Sequence, residues 1–185
     1  MTATVGLDGI RIGILDDNEK VTEIIEVKGA IEAKIDPSTN TDVLYADNGA
    51  FAVFTSLGET KVTLNVADLT TEQKNKILGV RTENGLELTG ADTVPPFVAL
   101  AMHSKGIDQK EDIYVGLLKG RFGIPSIDAK TNEDKTSAQT PEIEGTFINR
   151  QSDGLSQVIG RSGNPDFTLT EFDAKVFPPA GTTQG

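Results

Sequence analysis

Residues 59–79, ETKVTLNVADLTTEQKNKILG, decide the class of fold. Their first half alternates apolar with polar residues, which predicts a strand with one buried and one solvated face. The apolar positions are Val62, Leu64 and Val66. Asp68 or Thr70 offers a side-chain oxygen that can cap a helix, and Thr70 with Gln73 has the spacing of a capping box. Gly79 suits the left-handed conformation that ends a helix, so the stretch predicts a strand leading directly into a short helix.

The composition of the chain indicates a β-rich globular domain. It has 185 residues, of which 37% are apolar, with 19 Gly and 8 Pro. This length predicts a single domain over residues 1–185, and the glycine and proline content is typical of many short strands joined by turns. Because cysteine is absent, a disulfide framework, a thiolate metal site and a cysteine nucleophile are excluded.

The charge of the chain argues against nucleic-acid recognition. Asp and Glu number 28 against 17 Lys and Arg, a formal net charge of −11. Proteins that bind nucleic acid normally show the opposite balance, and the one modest basic cluster surrounds Lys119 and Arg121. The first residues, MTATVGLDGIRIG, lack the basic start and apolar core of a signal peptide, and no apolar run is long enough for a membrane span. We therefore expect a protein made in the cytoplasm without a membrane partner.

Alternating patterns predict further strands on both sides of the opening stretch. They occupy residues 11–15, 21–27, 30–36, 51–55, 94–102, 113–118 and 142–149. Turns are predicted at residues 47–49 and 83–85, and proline with polar residues at 37–42 breaks the third strand. The central helix covers about residues 70–78. Residues 168–177 fit either a second short helix or a closing strand.

No catalytic or metal-binding pattern stands out. His103 is the single histidine, so a Ser-His-Asp triad or a pair of histidine ligands lacks members, and we expect it at the rim of a strand. Residues 16–19, DDNE, resemble the start of a calcium loop, but Val27 replaces the required acid, which favours a solvated hairpin tip. Residues 160–163, GRSG, form a turn rather than a phosphate-binding loop. The sequence therefore predicts neither an enzyme nor a cofactor.

Several features suit assembly with other copies. Strands with one polar face can leave that face to solvent or to a channel, and edge strands can pair with a neighbour. The termini 1–8 and 178–185 and the segment 36–49 are largely polar and are expected to be underpacked, as is typical of segments that order against a partner. Ordinary flexible termini and loops explain the same residues, so the residues alone leave both interpretations open.

Four short motifs carry a resemblance to a known family: VGLDG, LYADNG, NVADL and the pair VALAMHSK and YVGLLKG. In their order and spacing they resemble the major tail proteins that form the tail tube of long-tailed phages of Gram-positive hosts. The resemblance covers most of residues 3–150. The resemblance is weaker beyond residue 150, where FDAKVF only loosely resembles the aromatic ending of the family. Within the matched region, GLL at residues 116–118 stands where bulkier aromatic residues are expected.

This resemblance implies a mainly β fold, an antiparallel β-sandwich or partly open barrel of two sheets with one flanking helix. It also implies a structural virion protein, without enzymatic activity or cofactor, that forms hexameric rings. The rings stack head to tail into the tail tube, the conduit for DNA ejection. The implied partners are other copies of the chain, the tape measure, the tail terminator and the tail tip, and DNA passes through the lumen without specific binding.

The resemblance also assigns roles to segments. It implies an N-terminal arm (residues 1–8), a long inter-strand loop that stacks on a neighbouring ring (residues 36–49) and a C-terminal tail (residues 178–185). The expected stacking residues are Pro37, Ser38, Thr39, Asn40, Thr41, Asp42, Leu44, Tyr45 and Asp47. The expected lumen-facing residues are Glu32, Lys34, Asp36, Lys61, Thr63 and Asn65. An acidic excess in the lumen would repel passing DNA.

A non-enzymatic β-sandwich that acts as a binding or adhesion module is the alternative. The absence of Trp and the presence of only 2 Tyr argue against stacking on sugars. The missing signal peptide argues against export to a cell surface.

Overall fold

In the computed structural model, residues 4–46, 49–106, 110–125, 140 and 142–180 are described. They form ten strands and two short helices. The strands are β1 (Thr4–Leu15), β2 (Val21–Val27), β3 (Ala30–Ala46), β4 (Gly49–Val66), β5 (Arg81–Glu83), β6 (Leu86–Leu88), β7 (Val98–Gly106), β8 (Asp112–Phe122), β9 (Glu142–Phe147) and β10 (Gln157–Arg161). The helices are α1 (Thr71–Leu78) and α2 (Leu169–Val176).

One large antiparallel sheet in the order β2-β1-β7-β8-β9-β4-β3 carries the fold, and β5 with β6 forms a separate hairpin. The large sheet curls so that β1, β2 and β7 face β3, β4 and β9 across a common apolar core. Among the described residues no ladder joins β2 to β3, so the barrel stays open. The mainly β class, with two antiparallel sheets and a flanking helix, is confirmed.

The sheet forks at β8. β10 pairs with residues 113–117 of β8, and β9 pairs with residues 120–122 along the same edge of that strand. Between the two pairings, the amide of Leu118 donates to the carbonyl of Ser156, and the amide of Ile148 donates to the carbonyl of Lys119. The segment that links β9 to β10 therefore leaves and rejoins the sheet at this fork.

Two phenylalanine rings fill the core where β8 meets β9. The rings of Phe122 and Phe147 lie edge to face at 5.6 Å between centroids, and each is 1% exposed. A Cβ atom at Gly145 would lie 2.7 Å from Cδ1 of Phe122, closer than packed atoms approach. Glycine at this point of β9 is therefore what lets the ring lie flat against the backbone.

Helix α2 forms an outer layer on β1, β7 and β8. Phe172 and Val176, four residues apart, are buried on its inner face together with Phe177. The Thr168 hydroxyl accepts the amide of Glu171, which caps the first turn. Of the two readings left open for residues 168–177, the helix is correct, because burial follows helical rather than alternating spacing.

Helix α1 follows β4 as the sequence predicts. The Thr70 hydroxyl accepts the amide of Gln73, and the Gln73 side chain accepts the amide of Thr70, so both halves of the capping box are present. Gly79 ends the helix with φ 68°. Ile77 and Leu78 are buried in the main core, so the helix is fixed by tertiary packing as well as by its caps.

Four predicted boundaries are corrected. Residues 4–8 of the predicted N-terminal arm belong to β1, and residues 36–46 and 49 of the predicted loop belong to β3 and β4. The strand predicted to begin at residue 94 begins at Val98, because Pro95 and Pro96 cannot donate to the ladder. At the C-terminal end the carbonyl of Pro178 accepts the amide of Val21, which ties residues 178–180 to β2.

The proline at position 37 does not break β3 for a physical reason. β3 is an edge strand paired only with β4 among the described residues, and proline is tolerated at sheet edges and bulges. A register shift between Pro37 and Thr39 places the proline at such an irregularity. Beyond this irregularity β3 continues, paired with β4, to Ala46.

The predicted solvated hairpin tip is wrong at Glu19, which is only 8% exposed. Its carboxylate accepts Lys119 Nζ at 2.7 Å and the amides of Gln151 and Ser152 at 2.9 Å each. Burial raises the pKa of Glu19, but these donors outweigh burial and lower the pKa to about 2. A buried ion pair therefore links the β1–β2 turn to β8 at the fork.

This ion pair predicts a pH-dependent stability. The depressed pKa means that the carboxylate stabilises the fold above its ordinary pKa of 4.5, and that this stability is lost as the pH falls toward about 2. We expect Glu19→Gln to lower the free energy of unfolding by about 3 kcal/mol at neutral pH, since it leaves Lys119 buried without a counter-charge. Urea denaturation across the pH range measures the difference.

The matched control is Glu23→Gln, which breaks an exposed ion pair with Lys76. We expect a loss below about 1 kcal/mol. Equal losses for the two variants, or a wild-type advantage over Glu19→Gln that persists unchanged to pH 2, would show that Glu19 does not stabilise the fold through its charge.

Candidate assembly surfaces

A two-stranded arm projects from the body of the protein. It comprises residues 38–46 of β3 and 49–59 of β4, which pair with each other from Thr39 opposite Leu57 to Ala46 opposite Gly49. β9 pairs with β4 only from Thr60 onward, so within the described part of the chain no third strand pairs with the arm. At about 3.3 Å per residue the arm extends roughly 25 Å.

The arm exposes large apolar side chains. Tyr45 is 72% exposed and Phe51 is 74% exposed, and five others are between 39% and 61% exposed. These are Val43, Leu44, Val53, Phe54 and Leu57. Full burial of one such side chain stabilises a protein by about 1.5–3 kcal/mol, and an isolated two-stranded hairpin is marginal in water. An exposed apolar element of this kind marks an interaction surface.

Cross-strand register assigns the arm residues to two faces, because directly paired residues share a face. The first face carries Val43 opposite Val53, and Thr39 opposite Leu57. The second face carries Leu44 opposite Ala52, and Asp42 opposite Phe54. Apolar side chains therefore lie on both faces of the arm.

The root of the arm is set by Gly58. A Cβ atom at this position would lie 2.5 Å from Oγ of Ser38 and 3.3 Å from Nδ2 of Asn40. The register also shifts here, between Pro37 and Thr39. A larger residue at position 58 would displace the Ser38 and Asn40 side chains, so the close approach of the two strands favours glycine, and the bulge directs the arm away from the body.

Eight of the nine predicted stacking residues lie on this arm or at its root. Pro37 is at the root, and residues 38–42, Leu44 and Tyr45 are exposed on β3. Asp47 lies outside the described residues. The sequence reasoning missed the β4 half of the arm, with its two phenylalanines. The turn signal at 47–49 between two β-prone runs is the feature that predicts this pairing.

A polar patch covers the outer face of β3, β4 and β9. The six predicted lumen-facing residues form three directly opposed pairs between β3 and β4. Each pair is extended by a polar residue of β9. The three rows are Glu32, Asn65 and Glu142; Lys34, Thr63 and Glu144; and Asp36, Lys61 and Thr146. The structure thus gathers all six predicted residues on one face and adds three that the sequence reasoning missed.

Charges within the patch are partly compensated. Lys34 Nζ lies 2.6 Å from Asp36 Oδ2, and this hydrogen bond raises the pKa of Lys34. A polar pocket of about 260 Å³ is lined by residues of the first two rows, and within it Asn65 Oδ1 is buried without a hydrogen-bond donor among the described residues. Four carboxylates against two lysines leave the patch with an acidic excess.

The remaining predicted features have structural rather than chemical roles. His103 lies within β7 rather than at its rim, and its ring stacks on Tyr114 at 4.6 Å. Both cations of the basic cluster lie over the ring of Phe97, with Arg121 Cζ 3.9 Å and Lys119 Nζ 4.7 Å from the ring centre.

Within the described ranges, three or more acidic, histidine or cysteine side chains nowhere converge on a metal-sized site. Neither described helix is long and apolar enough to cross a membrane.

A curled β-sandwich with a projecting apolar arm and a polar sheet face is the architecture of a subunit that assembles through its surfaces. The family model for phage tail tube proteins matches residues 1–183, so the chain belongs to the phage tail tube protein family. A search of curated proteins finds no match. The chain is accordingly a structural component of the virion tail that assembles with itself and with other tail components, and its family is not an enzyme family.

The root of the arm provides a first test of its role. We expect Gly58→Val to reduce self-assembly strongly, because the added side chain collides with Ser38 and redirects the arm. The thermal midpoint of the body should stay unchanged, since none of the core residues lies in the arm. Sedimentation of assembled protein and circular dichroism measure the two quantities.

Gly9→Val is the matched control outside the arm, on β1, where a Cβ atom likewise meets nothing within 4 Å. We expect this variant to assemble like the wild type. If Gly58→Val also assembles normally, the direction of the arm does not matter for assembly.

Proposed function

We propose that the chain forms hexameric rings that stack head to tail into the tail tube of a long-tailed phage of a Gram-positive host, the conduit through which DNA is ejected. The observation that carries this proposal is the exposed apolar arm on a member of the tail tube family. A contact between the arm and a different surface of another copy is heterologous. Such contacts close into rings or grow into open stacks according to their rotation.

The arm supplies the contact between rings in this proposal. The body already buries a complete core without the arm, so arm burial is left for a partner. The chain carries a net charge of −11, and copies of equal charge repel one another at long range. Apolar burial is the interaction that offsets this repulsion without requiring basic residues.

The polar patch lines the lumen in this proposal. Its outward side chains are polar or charged in every row, so the sheet face needs no protein cover. An excess of carboxylates repels DNA phosphates, and the interspersed lysines keep the field moderate. DNA then passes without being bound. The tape measure, the tail terminator and the tail tip complete the set of proposed partners.

Excision of the arm tests the tube. Replacement of residues 38–59 by Asn-Gly joins Pro37 to Thr60, which are directly paired, through a two-residue hairpin turn. We expect a monomer with the wild-type thermal midpoint, whereas the concentrated wild-type chain forms hollow tubes of uniform width in negative-stain electron microscopy. Tubes formed by the armless chain would contradict the assigned role of the arm. An armless chain that does not fold would show that the body needs the arm in order to fold.

Thiol accessibility tests the lumen, because the cysteine-free chain accepts a single reporter. We expect Thr146→Cys in assembled tubes to react with a small maleimide but not with a bulky polyethylene-glycol maleimide, and to react with both as a monomer. Leu86→Cys, on the separate β5–β6 hairpin, is the control for general access to the tube surface. Equal labelling of tubes at Thr146→Cys by both reagents would place the patch on the outside.

A further inference from the structure

The two-faced arm implies more than one contact. We propose that each arm is held between two other copies of the chain, one covering each face, so that one arm joins three subunits. This inference rests on the proposed tube. It goes beyond it by assigning two distinct partners to a single hairpin.

The distribution of apolar side chains on the arm supports a separate partner for each face. Val53 and Phe54 are consecutive residues on opposite faces, and they are 61% and 60% exposed. Tyr45 and Leu44 repeat the arrangement on β3, with 72% and 50% exposed. A hairpin that lay on one surface would be expected to carry apolar residues on one face and polar residues on the other. Here neither face is polar along the distal half of the arm.

The available area leads to the same conclusion. A stable interface takes about 800 Å² from each partner. An aromatic side chain buries about 150–250 Å². The exposed aromatic and large aliphatic side chains are divided between the two faces, so a copy that covers one face alone buries only part of the apolar area that the arm offers.

The arm carries few charged side chains. Residues 38–59 contain three, Asp42, Asp47 and Glu59, and no Lys or Arg, whereas charged residues make up 24% of the chain. Depletion of charge is characteristic of the buried centre of an interface. The three charges are acidic and repel subunits of net charge −11, so burial of the apolar side chains of the arm must offset this repulsion.

Photo-crosslinking from the two faces tests the proposal. A benzophenone amino acid replaces Val53, Phe54 or both, and each variant is assembled at low fraction with an excess of the wild-type chain. We expect dimers on a denaturing gel from each single variant, because one face meets one copy. We expect the double variant to give covalent trimers at the product of the two single yields.

A same-face double variant is the matched control. Val43 and Val53 are directly paired on one face, so benzophenone at both positions should give dimers without the trimer band. Thr55 and Ser56, exposed neighbours on opposite faces, provide a second opposite-face pair if the bulky group at Phe54 prevents incorporation into tubes.

The outcomes separate this inference from the proposed function. Wild-type tubes in which an opposite-face double variant gives only dimers would overturn the three-subunit arm and leave the tube intact. Failure of the wild-type chain to form rings or tubes, even with tail-tip components added, would overturn both. Trimers specific to the opposite-face pairs establish the bridging arm.

Discussion

The short pairing between β9 and β4 is the constraint on which the rest of the structure depends. β4 has 18 residues, but β9 covers it only from Thr60 to Asn65. The covered half lies in the sheet, with its apolar side chains in the core and its polar side chains in the patch. The uncovered half, which among the described residues pairs with β3 alone, becomes the arm. β4 thus packs in the core at one end and is available for assembly at the other. The end of the β9 pairing, at Thr60, sets the boundary between the two halves.

The fork at β8 has a comparable effect on the body. Because β9 and β10 use the same edge of β8, one branch of the sheet closes over the main core and the other supports α2. The buried pair of Glu19 and Lys119 lies where the branches separate, and it also binds the amides of the linking segment. The fork thus joins the core sheet and the outer layer at one point of β8.

The candidate surfaces could be predicted in part from single segments. Alternation placed Glu32, Lys34 and Asp36 on one face of β3, and the same rule placed Lys61, Thr63 and Asn65 on one face of β4, since side-chain direction in a strand is a local property. Local rules do not say which strands are neighbours. The contribution of β9 to the patch, and the pairing that makes residues 38–46 half of a hairpin, depend on long-range register and were not predicted.

The sequence by itself determined the β-rich class, the capped helix after β4, the Asn84-Gly85 hairpin turn and the absence of cysteine chemistry. Each follows from spacing or composition over a few residues. Only the tertiary structure decided that residues 168–177 are a helix, that Glu19 turns inward to Lys119, and that Pro37 lies within a strand rather than ending one. These three outcomes depend on which parts of the chain pack against each segment. Burial, the charges of neighbouring residues and an edge position in the sheet change the energy of a local conformation by as much as the intrinsic helix or strand propensity of its residues does.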